Sequence, residues 1–423
     1  MSILVLEARL ILKKYKPEII AVTGSVGKTS AKEAIFTVLE KKFSVRKSEK
    51  SYNSELGVPL ALIGVSNAWY SVWGWLKNML KGARMILARS EYPKKLVLEL
   101  GADRPGDISR FLHYLNPHIG IVTAIGEVPV HVEFFAGPEE LAKEKAKLVE
   151  ALAFRDWAVI NSDDDTVLDM KSLTKSHVFT YGFGEDADLR ASNYRLLYKR
   201  GRGPRPEGIT FKMDYKGASV PIRVFNTFGK QGVYAALAGA SVGLIYEMNL
   251  VEIAEALSQY QSPVGRLKLI EGEKDTWILD DTYNASPHAM HLALDLLRDF
   301  PAERKIAVLG DMLELGRFAI QAHRKVGDHA REIADIVITV GPRSKFIAEE
   351  LRAHGFGRKK LFSFSESGEA GRKLEKLIGP GDLILVKGSQ SMRMERIVEE
   401  IMAHPEDKEM LLTRQDPEWQ KIP

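Results

Sequence analysis

Residues 21–35 read AVTGSVGKTSAKEAI, an apolar run followed by a Gly-rich loop and a segment with helical periodicity. The main-chain N–H groups of such a turn, together with the start of a helix, form a cradle for an anion. Gly24 and Gly27, either side of Ser25, let the backbone approach a phosphate closely. Lys28 reaches the outer phosphates of a nucleotide and the Thr29 hydroxyl suits Mg²⁺, with Ser30 as a second hydroxyl. The full P-loop pattern carries Gly at position 22, where this chain has Val22.

Glu99 closes the apolar run LVLELGAD, and a carboxylate there is costly unless paired or metal-bound. Beside a P-loop the sharper reading is a Mg²⁺ ligand, and the plainer one a salt-bridged core Glu. His131 follows another apolar run, where a surface or hydrogen-bonded role is the ordinary one. Lys143, Lys145 and Lys147 read by themselves as a charged helix face. Further on, Arg266, the stretch Asp280, Asp281, Tyr283 and Asn284, the loop with Asp311 and Glu314, and the group Lys387, Ser389, Ser391 and Arg393 each stand where an apolar run gives way to a polar loop. A series of such loops argues for a shared cleft.

The elements that must position these residues are legible as alternation. Strand-like runs such as EIIAVTG, KLVLELG, HIGIVTAIG, WAVINSD, KIAVLGD, DIVITVG and DLILVKGS alternate with amphipathic segments. This predicts α/β architecture with mostly parallel sheets and ligands at the carboxyl ends of the strands. Between 188 and 224 short alternating runs with Gly/Pro turns predict β-hairpins in the same domain. The expected division is a central domain over 1–300, with the P-loop at 22–30, and a smaller Rossmann-like α/β domain over 301–423. The boundary is placed at the Pro301 region, and the tail from about 404 is expected to be ragged.

Composition narrows the function. The chain of 423 residues contains no cysteine, which excludes thiol catalysis and zinc–thiolate sites and fits a cytoplasmic location. A net charge of +4 without a Lys/Arg block argues against a nucleic-acid partner. The N-terminus lacks the features of a signal peptide, and no window reaches the apolar length of a transmembrane helix. Residues 66–90 stand out, with three of the six tryptophans. At helical spacing Trp69, Trp73, Leu76 and Leu80 form a stripe with Lys77, Lys81 and Arg84 beside it, and Gly74 interrupts the helix. The stripe is expected to pack on its own domain, with a membrane surface or a protein partner as the alternatives.

Together these stretches resemble the Mur ligases, the ATP-dependent amide-forming enzymes of peptidoglycan precursor synthesis. The resemblance runs in family order from about residue 20 to about residue 400, through TGSVGKTS, SYNSELGVPLAL, LELGADRPGDI, VTAIG, LAKEKAKLVEAL, INSDDD, GRLKLIEG, DDTYNASPHAM, VLGDMLELG, HRKVG and VKGSQSMRMERIVE. The last four are most similar to the D-alanyl-D-alanine-adding branch. The resemblance implies that a substrate carboxylate attacks the γ-phosphate of ATP, giving an acyl phosphate that an incoming amine converts to the amide. It implies phosphate and Mg²⁺ binding by Lys28 and Thr29, two Mg²⁺ ions held through Thr29, Glu99, His131 and a carbamylated Lys145, and ATP contacts from Arg266, Asp281, Tyr283 and Asn284. It also implies substrate contacts from Asn53, Asp311, Glu314, Lys387, Ser389 and Arg393, with a nucleotide-sugar peptide and D-alanyl-D-alanine as substrates.

The chain departs from the family pattern in four places. About twenty residues precede the P-loop, so the family's N-terminal UDP-sugar-gripping domain is expected to be absent. Gly229-Lys230-Gln231-Gly232 stands where the family carries Gly-x-His-Asn, and Ala124 where it carries Asn. His131 lies two residues further from Gly126 than the common spacing, and the Trp-rich segment reads as an insertion. Ligation of another carboxylate, as in folylpolyglutamate or poly-amino-acid ligases, and a nucleotide-binding subunit without turnover remain open as alternatives.

Overall fold

Apolar runs long enough to be buried on both faces become the middle strands of two mostly parallel sheets. The computed structural model describes residues 3–49, 52–199 and 205–421. The first part begins with α1 (Ile3–Tyr15), β1 (Glu18–Thr23), α2 (Lys28–Leu39), β2 (Val45–Lys47), α3 (Gly57–Ile63) and α4 (Val72–Leu87). It continues through β3 (Lys95–Glu99), α5 (Asp107–Leu112), β4 (Pro117–Val122), α6 (Pro138–Glu150), β5 (Trp157–Asn161), α7 (Asp165–Leu168) and β6 (His177–Gly182). The antiparallel strands β7 (Leu189–Lys199), β8 (Arg205–Tyr215) and β9 (Ala218–Phe225) follow, then α8 (Gly229–Ile245) and α9 (Leu250–Leu257). The nine-stranded sheet runs β2-β3-β1-β4-β5-β6-β7-β8-β9, so the hairpins expected after 188 extend the same sheet. The turn between β7 and β8 lies outside the described residues.

The strand order matters for the site. β1 lies between β3 and β4, in register Val22 to Glu99 on one side and Thr23 to Val122 on the other. The Gly-rich loop therefore leaves the sheet between the carboxyl ends of two neighbours, where an α/β fold places its ligands. Behind it α2 packs on α8, whose small residues permit close approach: a Cβ on Gly239 would lie 2.9 Å from the Ala34 carbonyl oxygen.

The second sheet is made of β10 (Lys268–Gly272), β11 (Thr276–Asp281), β12 (Arg304–Gly310), β13 (Ile336–Val340), β14 (Leu361–Phe364) and β15 (Asp382–Lys387). Their order is β10-β11-β15-β12-β13-β14, with only the β10–β11 pair antiparallel. It is flanked by α10 (Pro287–Asp299), α11 (Ala319–Arg331), α12 (Lys345–Ala353), α13 (Ser367–Glu375) and α14 (Glu395–Ile401).

Three expectations need correction. The second sheet begins at β10, and Pro301 lies in the connection from α10 to β12, inside that unit. Proline and charge mark a loop, but pairing of β11 with the distant β15 decides which unit the loop serves. The tail past 404 is packed: Leu412 and Arg414 are buried, and the Arg414 guanidinium donates to Glu395 and to the Thr282 and Tyr283 carbonyls. Finally, Trp69 lies before α4 with positive φ and meets Trp419 edge-on. Ser71 caps the helix by accepting from the Gly74 N–H, so Gly74 sits in the first turn, where it is tolerated. The helix rests on the domain through Trp75, Met79, Met85 and Ile86, and the expected stripe of Trp73, Leu76 and Leu80 faces outward.

Candidate active site

The loop after β1 is held open by its neighbour. Ser25 and Val26 N–H donate to the Ala124 carbonyl at 2.6 and 3.0 Å, and the Thr123 hydroxyl donates to the Val26 carbonyl at 2.7 Å. Gly24 has φ 138°, and a Cβ there would lie 2.1 Å from Thr123 Oγ1, so only glycine fits. Gly27, with φ 88°, leads into α2, whose first N–H groups face the loop.

Three sequence-expected residues converge on this loop. Glu99, 1% exposed, accepts from Thr29 Oγ1 at 2.9 Å through Oε2 and from Asn53 Nδ2 at 3.0 Å through Oε1. Lys28 donates to the Gly24 carbonyl at 2.8 Å. Burial lowers its pKa, with the Glu99 carboxylate acting in the opposite direction. Lys145, on the inward face of α6, donates to the same carbonyl at 3.0 Å. Burial, followed by the Lys28 charge, pulls its pKa down to about 7. Neighbouring Lys143 is exposed and pairs with Glu140, so the helix face divides into one buried lysine and its solvated neighbours. Ser30 is buried one position further along α2.

His131 has left-handed backbone, φ 70°, a conformation uncommon outside glycine that His adopts more readily than most residues. Its Nε2 lies 3.3 Å from Asp103 Oδ1 and its Nδ1 2.7 Å from Glu314 Oε2. Glu314 belongs to the loop after β12, so this contact joins the two sheets' loops, and His131 holds its carboxyl below the usual range. Asp103, which the sequence reading did not single out, faces this cluster from the loop after β3 and adds negative charge near Lys28 and Lys145.

The remaining expected residues lie on the second sheet's side, and most bond within the chain. Arg266 lies over the Tyr283 ring, 4.2 Å from its centroid. Asp281 and Lys387 form a buried ion pair at 2.6 Å, and Lys387 also donates to the Asn284 carbonyl. Asp311 accepts from the Arg343 and Ser344 N–H groups. Ser389 Oγ accepts from Leu313 N–H, and Arg393 donates to Glu395 and to the Trp419 carbonyl.

A cavity of about 270 Å³ adjoins Gly27 and Thr123 and is walled by Asn161, Asp164, Tyr234, Gln231 and His288. Asp164 anchors its floor by accepting from the Ile125 and Gly126 N–H groups. The amide nitrogen of Gln231 is buried in it without a partner among the described residues, a donor available to a ligand acceptor. Of these residues only Gln231 was noted from the sequence. The signal for Asn161 and Asp164 was the polar turn INSDDD at the end of β5.

Among the described residues no three carboxylate or imidazole groups converge into a ready-made metal cage. Mg²⁺ needs none, because it is commonly held by one or two protein oxygens together with substrate phosphates and water. The buried Glu99 carboxylate with the Thr29 hydroxyl, beside a phosphate cradle, fits that donor set.

A Gly-rich anion loop with a carboxylate at the neighbouring strand end, faced by a second α/β sheet across a cleft, defines a two-domain P-loop nucleotide enzyme. The chain belongs to the Mur ligase family: the Mur ligase middle domain matches residues 76–243, and the Mur ligase glutamate ligase domain matches residues 265–390. The UDP-N-acetylmuramoyl-tripeptide–D-alanyl-D-alanine ligase of Bacillus subtilis (strain 168) is 28% identical over 405 residues, spanning 94% of this chain and 79% of that protein. The crystal structure of MurF from Acinetobacter baumannii superposes with TM-score 0.77 at 26% identity, over 94% of this chain and 79% of that one. The MurF ligase of Thermotoga maritima in complex with ADP gives TM-score 0.77 at 24% identity, over 95% and 83% of the two chains.

Proposed function

We propose that this chain is an ATP-dependent, ADP-forming ligase that joins D-alanyl-D-alanine to a UDP-muramoyl peptide in the cytoplasm. The observation that carries this reading is the buried Glu99 carboxylate gripped between Thr29 and Asn53 beside the phosphate loop. Names of relatives supply the substrates. The acyl substrate's carboxylate attacks the γ-phosphorus of ATP, forming the acyl phosphate and releasing ADP. The amine of the dipeptide then attacks the acyl carbon, phosphate leaves and the amine proton is lost.

In this reading the N–H groups at the start of α2, beyond the Ser25 and Val26 N–H groups held by Ala124, and the Lys28 ammonium orient the phosphates and offset the repulsion between two approaching anions. Thr29 and Glu99 would hold Mg²⁺, which would supply further neutralisation of the phosphates. The cavity beside Gly27 takes the nucleotide base, with Gln231 as its donor. Arg266, Tyr283 and Asn284 face ATP from the second sheet. The loops carrying Asp311 and Glu314, and Lys387, Ser389 and Arg393, approach the dipeptide as the two sheets' loops close and exclude water. His131, with Asp103 and Glu314 against it, is the proposed further metal ligand.

Lys145 is proposed to carry a carbamate. Its lowered pKa leaves a substantial fraction as neutral amine near pH 7, and that lone pair adds to CO₂ with loss of one proton. The product is a carboxylate-like group facing Lys28.

The deciding experiment measures phosphate release from MgATP with UDP-muramoyl tripeptide and D-alanyl-D-alanine, supplied together and singly, with Lys28→Ala as control. Release that needs both substrates, with the amide product seen by mass spectrometry, is the expected result. ATP binding with no release under any combination would move the assignment to another acyl substrate or to a subunit without turnover.

A further inference from the structure

Helix α4 presents an apolar face that no other described residue covers. Trp73, Leu80 and Leu87 are 80, 61 and 86% exposed, and Tyr70, just before the helix, is 94% exposed. With Leu76 these residues recur at helical spacing, on the side opposite to Trp75, Met79 and Ile86, which pack into the domain. Beneath α4, helix α1 leaves Ile3, Leu6 and Leu10 exposed in the same manner. Apolar side chains so exposed, in a row and on adjacent helices, mark an interaction surface.

The charge around the face selects the occupant. Residues 66–90 contain Lys77, Lys81, Arg84 and Arg89 and no Asp or Glu. The single acid of α1, Glu7, is turned inward against Gly82. Lys13, at the end of α1, adds a further exposed cation, whereas the Lys14 ammonium donates to the Met85 and Ile86 carbonyls at the end of α4. A second copy of this chain docked by two-fold symmetry would set these cations against themselves. Neither helix is long and apolar enough to cross a membrane. An amphipathic helix with aromatic and aliphatic side chains on one face and only cations along its flank is the pattern of a helix lying in a lipid–water interface.

We propose that α4, with the exposed edge of α1, docks this enzyme on an anionic lipid bilayer. The helix lies in the plane of the headgroups: Trp73, Leu76, Leu80 and Leu87 enter the acyl boundary, and Lys77 and Arg84 meet lipid phosphates. None of these side chains belongs to the ligase site, so the surface can be altered independently of catalysis.

The test is co-sedimentation of the full chain with vesicles of phosphatidylcholine alone and with about one-third phosphatidylglycerol, at low and high salt. Three proteins are compared: wild type, Trp73→Ser with Leu80→Ser, and Lys77→Glu with Arg84→Glu. The expected result is binding to the anionic vesicles only, reversed by salt, and weakened at least about tenfold in each double variant. MgATP binding and melting temperature should remain those of wild type, which separates lost docking from lost folding. Failure of the wild type to bind anionic vesicles at low salt would overturn the proposal. So would equal binding by both variants, or a wild-type dimer that Trp73→Ser with Leu80→Ser converts to monomer with no change in vesicle binding.

Discussion

The ammonium groups of Lys28 and Lys145 end on one atom, the Gly24 carbonyl oxygen, at 2.8 and 3.0 Å. Two buried cations meeting at one acceptor repel each other, which is why the Lys28 charge follows burial in depressing Lys145. Below about pH 7 the Lys145 amine is protonated and closed to CO₂, and above it the neutral form is available. Turnover is therefore expected to rise through pH 7 and with added bicarbonate. Lys145→Ala should lose roughly 100-fold or more, as removal of an electrostatic group at a reacting centre does. ¹³C NMR of protein in labelled bicarbonate checks the adduct directly: a carbamate resonance is expected in wild type and none in Lys145→Ala.

Glu99→Gln keeps the shape of the Thr29–Glu99–Asn53 bridge and removes its charge. MgATP turnover is expected to fall about 10²–10³-fold while the melting temperature hardly changes. Asn53→Ala leaves the carboxylate but frees its second oxygen, and a smaller loss of about tenfold to 100-fold is expected, as for groups that orient a metal ligand. Steady-state kinetics over a Mg²⁺ titration would separate the two, because weakened metal binding raises the Mg²⁺ concentration needed for half-maximal rate.

The Asp281–Lys387 pair ties β11 to β15 at a depth where neither charge meets water. Lys387→Met strands a buried carboxylate and is expected to cost about 3–5 kcal/mol. Adding Asp281→Asn should recover much of that loss. Urea denaturation of the two single variants and the double variant measures the coupling, and additive losses would deny the pair its structural role.

Asp280 points away from Asp281 into the interior, where burial raises its pKa to about 6. The folded state therefore binds a proton that the unfolded state has released between about pH 4 and pH 6. Stability contributed by this group is full below that window and is lost as pH rises through 6. Thermal melts of wild type and Asp280→Asn from pH 4 to 7 should converge at the acid end and diverge towards neutral pH, with the variant the more stable there.

Much of the candidate site could be read along the chain because strand ends announce themselves. An apolar run that stops at a polar residue gave the phosphate loop, Glu99, Asp281, Asp311 and Lys387. Lys145 could not be read from residues alone. Its helix carries three lysines in alternate positions, and packing against the loop chooses which one is buried. The cavity's polar lining was hidden for a related reason. Asn161 comes from the end of β5 and Asp164 from the turn after it, Gln231 and Tyr234 from α8 and His288 from α10, and no local spacing links them all.

The α/β alternation, the phosphate loop and the absence of thiol chemistry were determined by the sequence, because they depend on residue type and short-range periodicity. The tertiary structure decided which strand flanks which, and so brought Glu99 to Thr29 across seventy positions. It also assigned β10 and β11 to the second sheet, packed the tail through Arg414 and turned Trp73 outward with Trp75 inward. Each of these depends on what a segment finds across space. A strand's partner or a helix's inward face is selected by the surface it can cover, and that surface does not exist until the chain has folded.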